Sequence, residues 1–205
     1  FLLEEALRGE YAEERIYAVA EKEGDISAFL LYTTSDLTFT IPRRKESTNS
    51  VAFLDSHLFL NTDILSRVID TLIKYNIELF DRLVNMYRET VGKSVRVVDI
   101  RLTRERVPYV RFEEGPLVPY NVLGDGLKLS LFYTFASALV ENGVVFMEEP
   151  EVHMHAGLID MLVHHILNPP NTLQQYFIST HSLDLMHGLL TLARDLGKIS
   201  EVKVI

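Results

Sequence analysis

At 205 residues, with 47% hydrophobic and 24% charged positions, the chain is long enough for one good-sized globular domain or a domain carrying an insertion. No apolar run approaches the ~18 residues of a membrane span, and the absence of cysteine excludes disulfides and thiolate metal sites. A net charge of −9 argues against a surface that coats nucleic acid as a whole. The start, Phe1-Leu2-Leu3-Glu4-Glu5, has no basic n-region and turns acidic at once, so a cytoplasmic protein without a secretory leader is expected. With no initiator Met and a strand-like end, Val202-Lys203-Val204-Ile205, the chain reads as a piece of something longer.

In chain order, residues 1–42 read as a short helix followed by a meander. Its strands are 16–20, 28–32 and 37–41, divided by Glu-Gly-Asp and Thr-Ser-Asp turn signals. The segment 43–50 is polar and is expected to be mobile, and a further strand is expected at 51–54. Asn61, Thr62 and Asp63 are candidate caps for the longest helix. Along it Leu65, Val68, Ile69, Leu72, Ile73, Asn76, Ile77, Phe80, Leu83, Val84 and Tyr87 recur at helical spacing, which predicts one amphipathic helix. Strands are expected at 95–102 and 107–112, and a helix buried nearly all round at 127–141. Strand 143–147, helix 156–167, strand 176–178, helix 183–196 and strand 202–205 then alternate, which predicts a parallel sheet joined by crossovers.

The most informative stretch is Gly143-Val144-Val145-Phe146-Met147-Glu148-Glu149-Pro150. A short apolar run of this kind is a buried parallel strand, and acids belong at its carboxyl end, where such a sheet opens onto a ligand crevice. Two adjacent carboxylates repel, so their crowding there suits a divalent cation and an activated water. Thr180-His181-Ser182 follows the next parallel strand, and parallel strands end on the same side, so His181 is expected beside Glu148 and Glu149.

Other features have plainer readings. Gly124-Asp125-Gly126 taken alone is a loop with Asp125 as N-cap, or an anion site made of glycine amides at a helix start. Glu151, His153 and His155 are a loose His/Glu metal candidate with no third ligand fixed by spacing. His164 and His165, adjacent on a helix, face different ways and carry no site. Val91-Gly92-Lys93-Ser94 ends like a phosphate-binding loop, but Tyr87 stands where the first glycine belongs and the order is helix to strand. Arg96, Arg101, Arg104, Arg106 and Arg111, diluted by Asp99, Glu105, Glu113 and Glu114, read as a solvated hairpin, with a nucleic-acid contact as the alternative that no interleaved aromatics support.

Taken in order, these residues resemble the ATP-binding-cassette type of ATPase, in the branch of the overcoming-lysogenization-defect ATPases, RecF and the SMC proteins. Leu123-Gly124-Asp125-Gly126-Leu127-Lys128 is similar to the signature, usually Leu-Ser-Gly-Gly-Glu-Lys, with Gly124 in place of the serine and Asp125 in place of a glycine. Val144 through Glu149 resemble the Walker B strand, with Glu148 where most cassettes have Asp. Residues 150–155 resemble the D-loop in the form Glu-Pro-Glu-x-His-Leu-His, and 177–182 the switch-histidine motif. The likeness covers residues 120–205, and no Walker A loop is present, so the chain is expected to begin downstream of it.

The resemblance implies an α/β, P-loop NTPase fold of the ABC-like kind, as an incomplete domain. Residues 1–60 would be its strand-rich part, 61–94 a helical insertion, 95–119 a strand pair, and 120–205 the lobe of signature, Walker B, D-loop and switch histidine. It implies ATP and Mg²⁺ as ligands, with Glu148 in the metal's water shell, Glu149 polarising the attacking water and His181 reading the γ-phosphate. Leu123, Gly124, Asp125, Gly126 and His155 would contact ATP across a homodimer formed through signature and D-loop, and nucleic acid would be met by another part of the protein. Two rivals stay open. One is a metal-dependent hydrolase using Glu148, Glu149, Glu151, His153 and His155; the other is an interaction module without catalysis.

Overall fold

The computed structural model describes residues 15–22, 25–32, 37–39, 51–56, 58–90, 97–140, 143–169 and 174–205. The short helix expected at the start, the polar segment 43–50 and the loop 91–94 lie outside them. Strands β1 (Arg15–Lys22), β2 (Asp25–Tyr32) and β3 (Leu37–Phe39) form the expected antiparallel meander. After β4 (Val51–Leu54) come helices α1 (Thr62–Tyr75) and α2 (Ile77–Thr90). A second antiparallel sheet follows, of β5 (Val97–Leu102), β6 (Pro108–Phe112) and a third strand that the sequence did not signal, β7 (Leu117–Pro119). The remainder is α3 (Asp125–Ala138), β8 (Val144–Glu148), α4 (Ala156–Leu167), β9 (Gln175–Ser179) and α5 (Leu183–Asp195).

The site is built on the parallel sheet, in the order β4-β8-β9. Alternation along β8 divides its faces. Val145 and Met147 are buried on one side, where Tyr133 of α3 reaches the end of β8 and His165 of α4 meets Tyr176 of β9. On the other side Phe146 stacks between Phe53 and Phe177, centroids 4.3 and 5.1 Å away.

Helix α3 is the hub, as its apolar sequence predicts. Leu129, Phe132 and Phe135 are buried completely or nearly so, and each contributes about 1.5–3 kcal/mol. Its buried serines and threonine are all paired: Ser130 and Thr134 with the Tyr87 hydroxyl at 2.8 and 3.2 Å, and Ser137 with His165 Nε2 at 2.7 Å. Burial lowers the His165 pKa to about 4, so this imidazole is neutral in the folded protein.

Three expectations need correction. The single long helix is two, broken at Asn76, whose φ of −155° leaves the helical region. Its side chain accepts from the Leu79 amide at 3.1 Å and so starts α2. The break shifts the buried face, so Leu79 is in the core while Ile73 and Ile77, both expected there, are exposed. The segment 202–205 is not a third parallel strand. Val202 has extended backbone, yet 202–205 pairs with no strand among the described residues, and β-branched residues form a strand only where a ladder partner exists. The third strand is β4, parallel to β8 from the other side. Among the described residues no helix is long and apolar enough to cross a membrane.

Candidate functional site

At the carboxyl end of the parallel sheet the chain turns sharply out of β8. Glu149 has φ +42° and His153 φ +63°, in the left-handed region that a side-chain-bearing residue occupies only at a cost. The turn is held from three directions. The Tyr133 hydroxyl donates to the Glu148 carbonyl at 2.8 Å, and the Glu149 amide donates to the Ser179 carbonyl of β9 at 2.9 Å. Glu151 Oε1 accepts from Thr180 Oγ1 and, at 3.2 Å, from the Ser182 amide. Among the described residues Glu151 Oε2 is buried without a hydrogen-bond partner.

The strand-end logic places His181 where the sequence expects it: its Nε2 lies 3.4 Å from Glu149 Oε1. Its side chain is 93% exposed and that of Glu149 42%, so both are open to a ligand. Ser182 begins α5, its hydroxyl accepting from the Leu185 amide at 3.1 Å.

Glu148 is exposed at the rim of a cleft of about 370 Å³ on the phenylalanine face, and Asp55 and Ser179 line the same rim. Asp55, just past β4, was missed in the sequence. The only available signal was an acid directly after a short apolar strand. Burial pushes the Tyr133 phenol well above its usual range, and the carboxylates of Asp55, Glu148, Glu151 and Glu149 around it push the same way. The phenol therefore remains a donor, in a field made negative by those acids.

The signature-like residues line a second cleft, of about 610 Å³, with Leu123, Gly124, Asp125, Gly126, His153 and His155 among its walls. Gly124, not Asp125, is the N-cap of α3, and Asp125 is the first helical residue, ion-paired to Lys128 at 2.9 Å. The two glycines differ. A Cβ on Gly126 would sit 2.2 Å from the His153 carbonyl oxygen, so it is glycine because the 150–155 turn packs on it; a Cβ on Gly124 would meet nothing within 4 Å. His155 caps α4 without a side-chain hydrogen bond.

Among the described residues no three His, Asp or Glu side chains converge into a metal cage. His153 and His155 border the signature cleft and Glu148 the other, so the cluster required by the metal-hydrolase reading is not assembled. The acids at the sheet end do fit a hydrated Mg²⁺, which needs only one or two carboxylates beside water and phosphate.

A family model described as "AAA domain, putative AbiEii toxin, Type IV TA system" matches residues 32–186, a span that includes the parallel sheet, both clefts and the His181 turn. No curated protein matches the chain. A solved structure from "Structural biochemistry of ATP-driven dimerization and DNA stimulated activation of SMC ATPases" is similar at a TM-score of 0.40 and 10% identity, over 62% of this chain and 97% of that chain. That likeness is too distant to bear on function. The family match, covering most of the chain, is sufficient by itself: the protein belongs to this AAA family, nucleotide-binding ATPases with a P-loop NTPase-like α/β fold.

Proposed function

We propose that the protein hydrolyses ATP at the carboxyl end of its parallel sheet and couples the reaction to closure of a homodimer. Mg²⁺ bound to the nucleotide would neutralise charge developing on the transferred phosphoryl group. Glu148, exposed beside Asp55, suits the metal's hydration shell. Glu149 would orient and polarise the attacking water, and His181 would donate a hydrogen bond to the γ-phosphate. Leu123, Gly124, Asp125, Gly126 and His155, on the separate signature cleft, would face ATP held by a second copy. Lys128 partly offsets the charge that Asp125 would bring there. The family description supports a toxin–antitoxin or defence setting, with any nucleic acid engaged by another part of the protein.

The observation that carries this reading is the approach of His181 Nε2 to Glu149 Oε1, 3.4 Å, from the ends of neighbouring parallel strands. One water or phosphate oxygen can lie within reach of both. In the full-length protein Glu149→Gln keeps the shape and removes the charge, so ATP should still bind while turnover falls by about 10²-fold or more. Glu148→Gln should instead weaken Mg²⁺-dependent ATP binding. Parent-like hydrolysis in both variants would make the acids structural and end this assignment of the catalytic site.

A further inference from the structure

Glu151 has no part in the proposed chemistry, yet its carboxylate joins two turns of the site. One oxygen takes both Thr180 Oγ1 and the Ser182 amide, which flank His181 on its two sides. The Ser182 amide is shared with Thr180 Oγ1 at 2.9 Å, so the three groups close into a small ring around the His181 backbone. Among the described residues the other oxygen is buried with no hydrogen-bond partner, an unfavourable arrangement for a buried acceptor. A carboxylate serving only the stability of its own turn would be better replaced by a group without that second oxygen. What it does achieve is charge-assisted hydrogen bonding across two loops. The turn carrying Glu149 is thereby fastened to the turn carrying His181, whose own side chain is almost fully exposed and held by little else.

We propose that Glu151 is the positioning residue of this site: by gripping the amide and hydroxyl on either side of His181, it sets the imidazole against Glu149. This rests on the ATPase reading, since the geometry it protects is that of the water and the γ-phosphate. Misplacement by ~1 Å costs on the order of 10²-fold in favourable cases, and a surface histidine that retains part of its population in place loses less.

The test is made in the full-length protein with Glu151→Ala, Glu151→Gln and Thr180→Val, reading hydrogen exchange at the Ser182 amide alongside kcat and KM for ATP. Glu151→Ala and Thr180→Val should each lower protection at Ser182 by about tenfold or more. Each should also lower kcat by about tenfold, with KM changed less than about threefold. Glu151→Gln, which keeps an acceptor oxygen, should restore most of both. Should Glu151→Ala fail to fold, Thr180→Val carries the same comparison. Ser182 protection lost with kcat intact would mean a brace without a positioning role, and protection retained would mean no brace; either overturns the proposal. Glu149→Gln, measured in parallel, separates the two levels: if it turns over like the parent, the assignment of the catalytic site is what has failed, and the positioning claim falls with it.

Discussion

The two regions that frame the candidate site are held in opposite ways. At the end of β8 and β9 the backbone is held by hydrogen bonds to the Tyr133 and Glu151 side chains, while Glu148 and His181 are exposed and Glu149 partly so. At the start of α3 the fit is steric: the backbone of the 150–155 turn lies on Gly126 with no room for a methyl group. The first region can therefore lose a functional group and keep its shape. The second cannot gain an atom at Gly126 without moving.

That contrast gives a graded set of outcomes. The largest is steric. Gly126→Ala forces a Cβ to within 2.2 Å of the His153 carbonyl oxygen, and backbone cannot rotate away as a side chain can. Unfolding in urea should show a loss of about 3 kcal/mol. A loss under about 1 kcal/mol would mean that the turn and the helix are not packed as described.

An intermediate effect comes from the foundation under both regions. His165 sits between α3 and β9 with its pKa lowered by burial from 6.5 to about 4. The unfolded chain takes up this proton first, so the contribution is complete above pH 6.5 and is lost as pH falls from there towards 4. Between pH 7.5 and 5.5 the loss should be about 1.4 kcal/mol. His165→Gln should flatten that part of the stability profile, whatever its effect on stability at pH 7.5. An unchanged slope would place the pH dependence elsewhere.

The smallest effect is the steric control. Gly124→Ala, with nothing within 4 Å of the new Cβ, should cost less than about 1 kcal/mol, the difference between Gly and Ala at an N-cap. If the two glycine variants cost the same, the contrast between them is void.

The parts of this molecule legible in its sequence were those fixed by local pattern. The run from Val144 to Glu148 declares a parallel strand with acids at its end, though only Val145 and Met147 are buried, and the rule that parallel strands end together brings His181 to Glu149. What stayed hidden depended on partners. Asn76 continues an apolar spacing that reads as one helix, and only its side-chain cap on Leu79 shows that the chain restarts there. Val202 to Ile205 have strand propensity but no neighbour to pair with among the described residues. Glu151 looked like a loose metal ligand, because its hydrogen bonds go to residues some thirty positions away, which no local spacing encodes. Gly126 carried the family-like signature, but its steric reason lies in the 150–155 turn.

The central claim is that Glu149 and His181 act as one site, and a double-mutant cycle on ATP turnover tests it most directly. Glu149→Gln, His181→Ala and the double variant are compared in the full-length protein under single-turnover conditions, with ATP binding checked for each. Groups that share one water and one phosphate oxygen act as a unit, so the double variant should be no more than about threefold slower than the slower single variant. Fully multiplicative losses would show that the two side chains work independently, and would contradict the account.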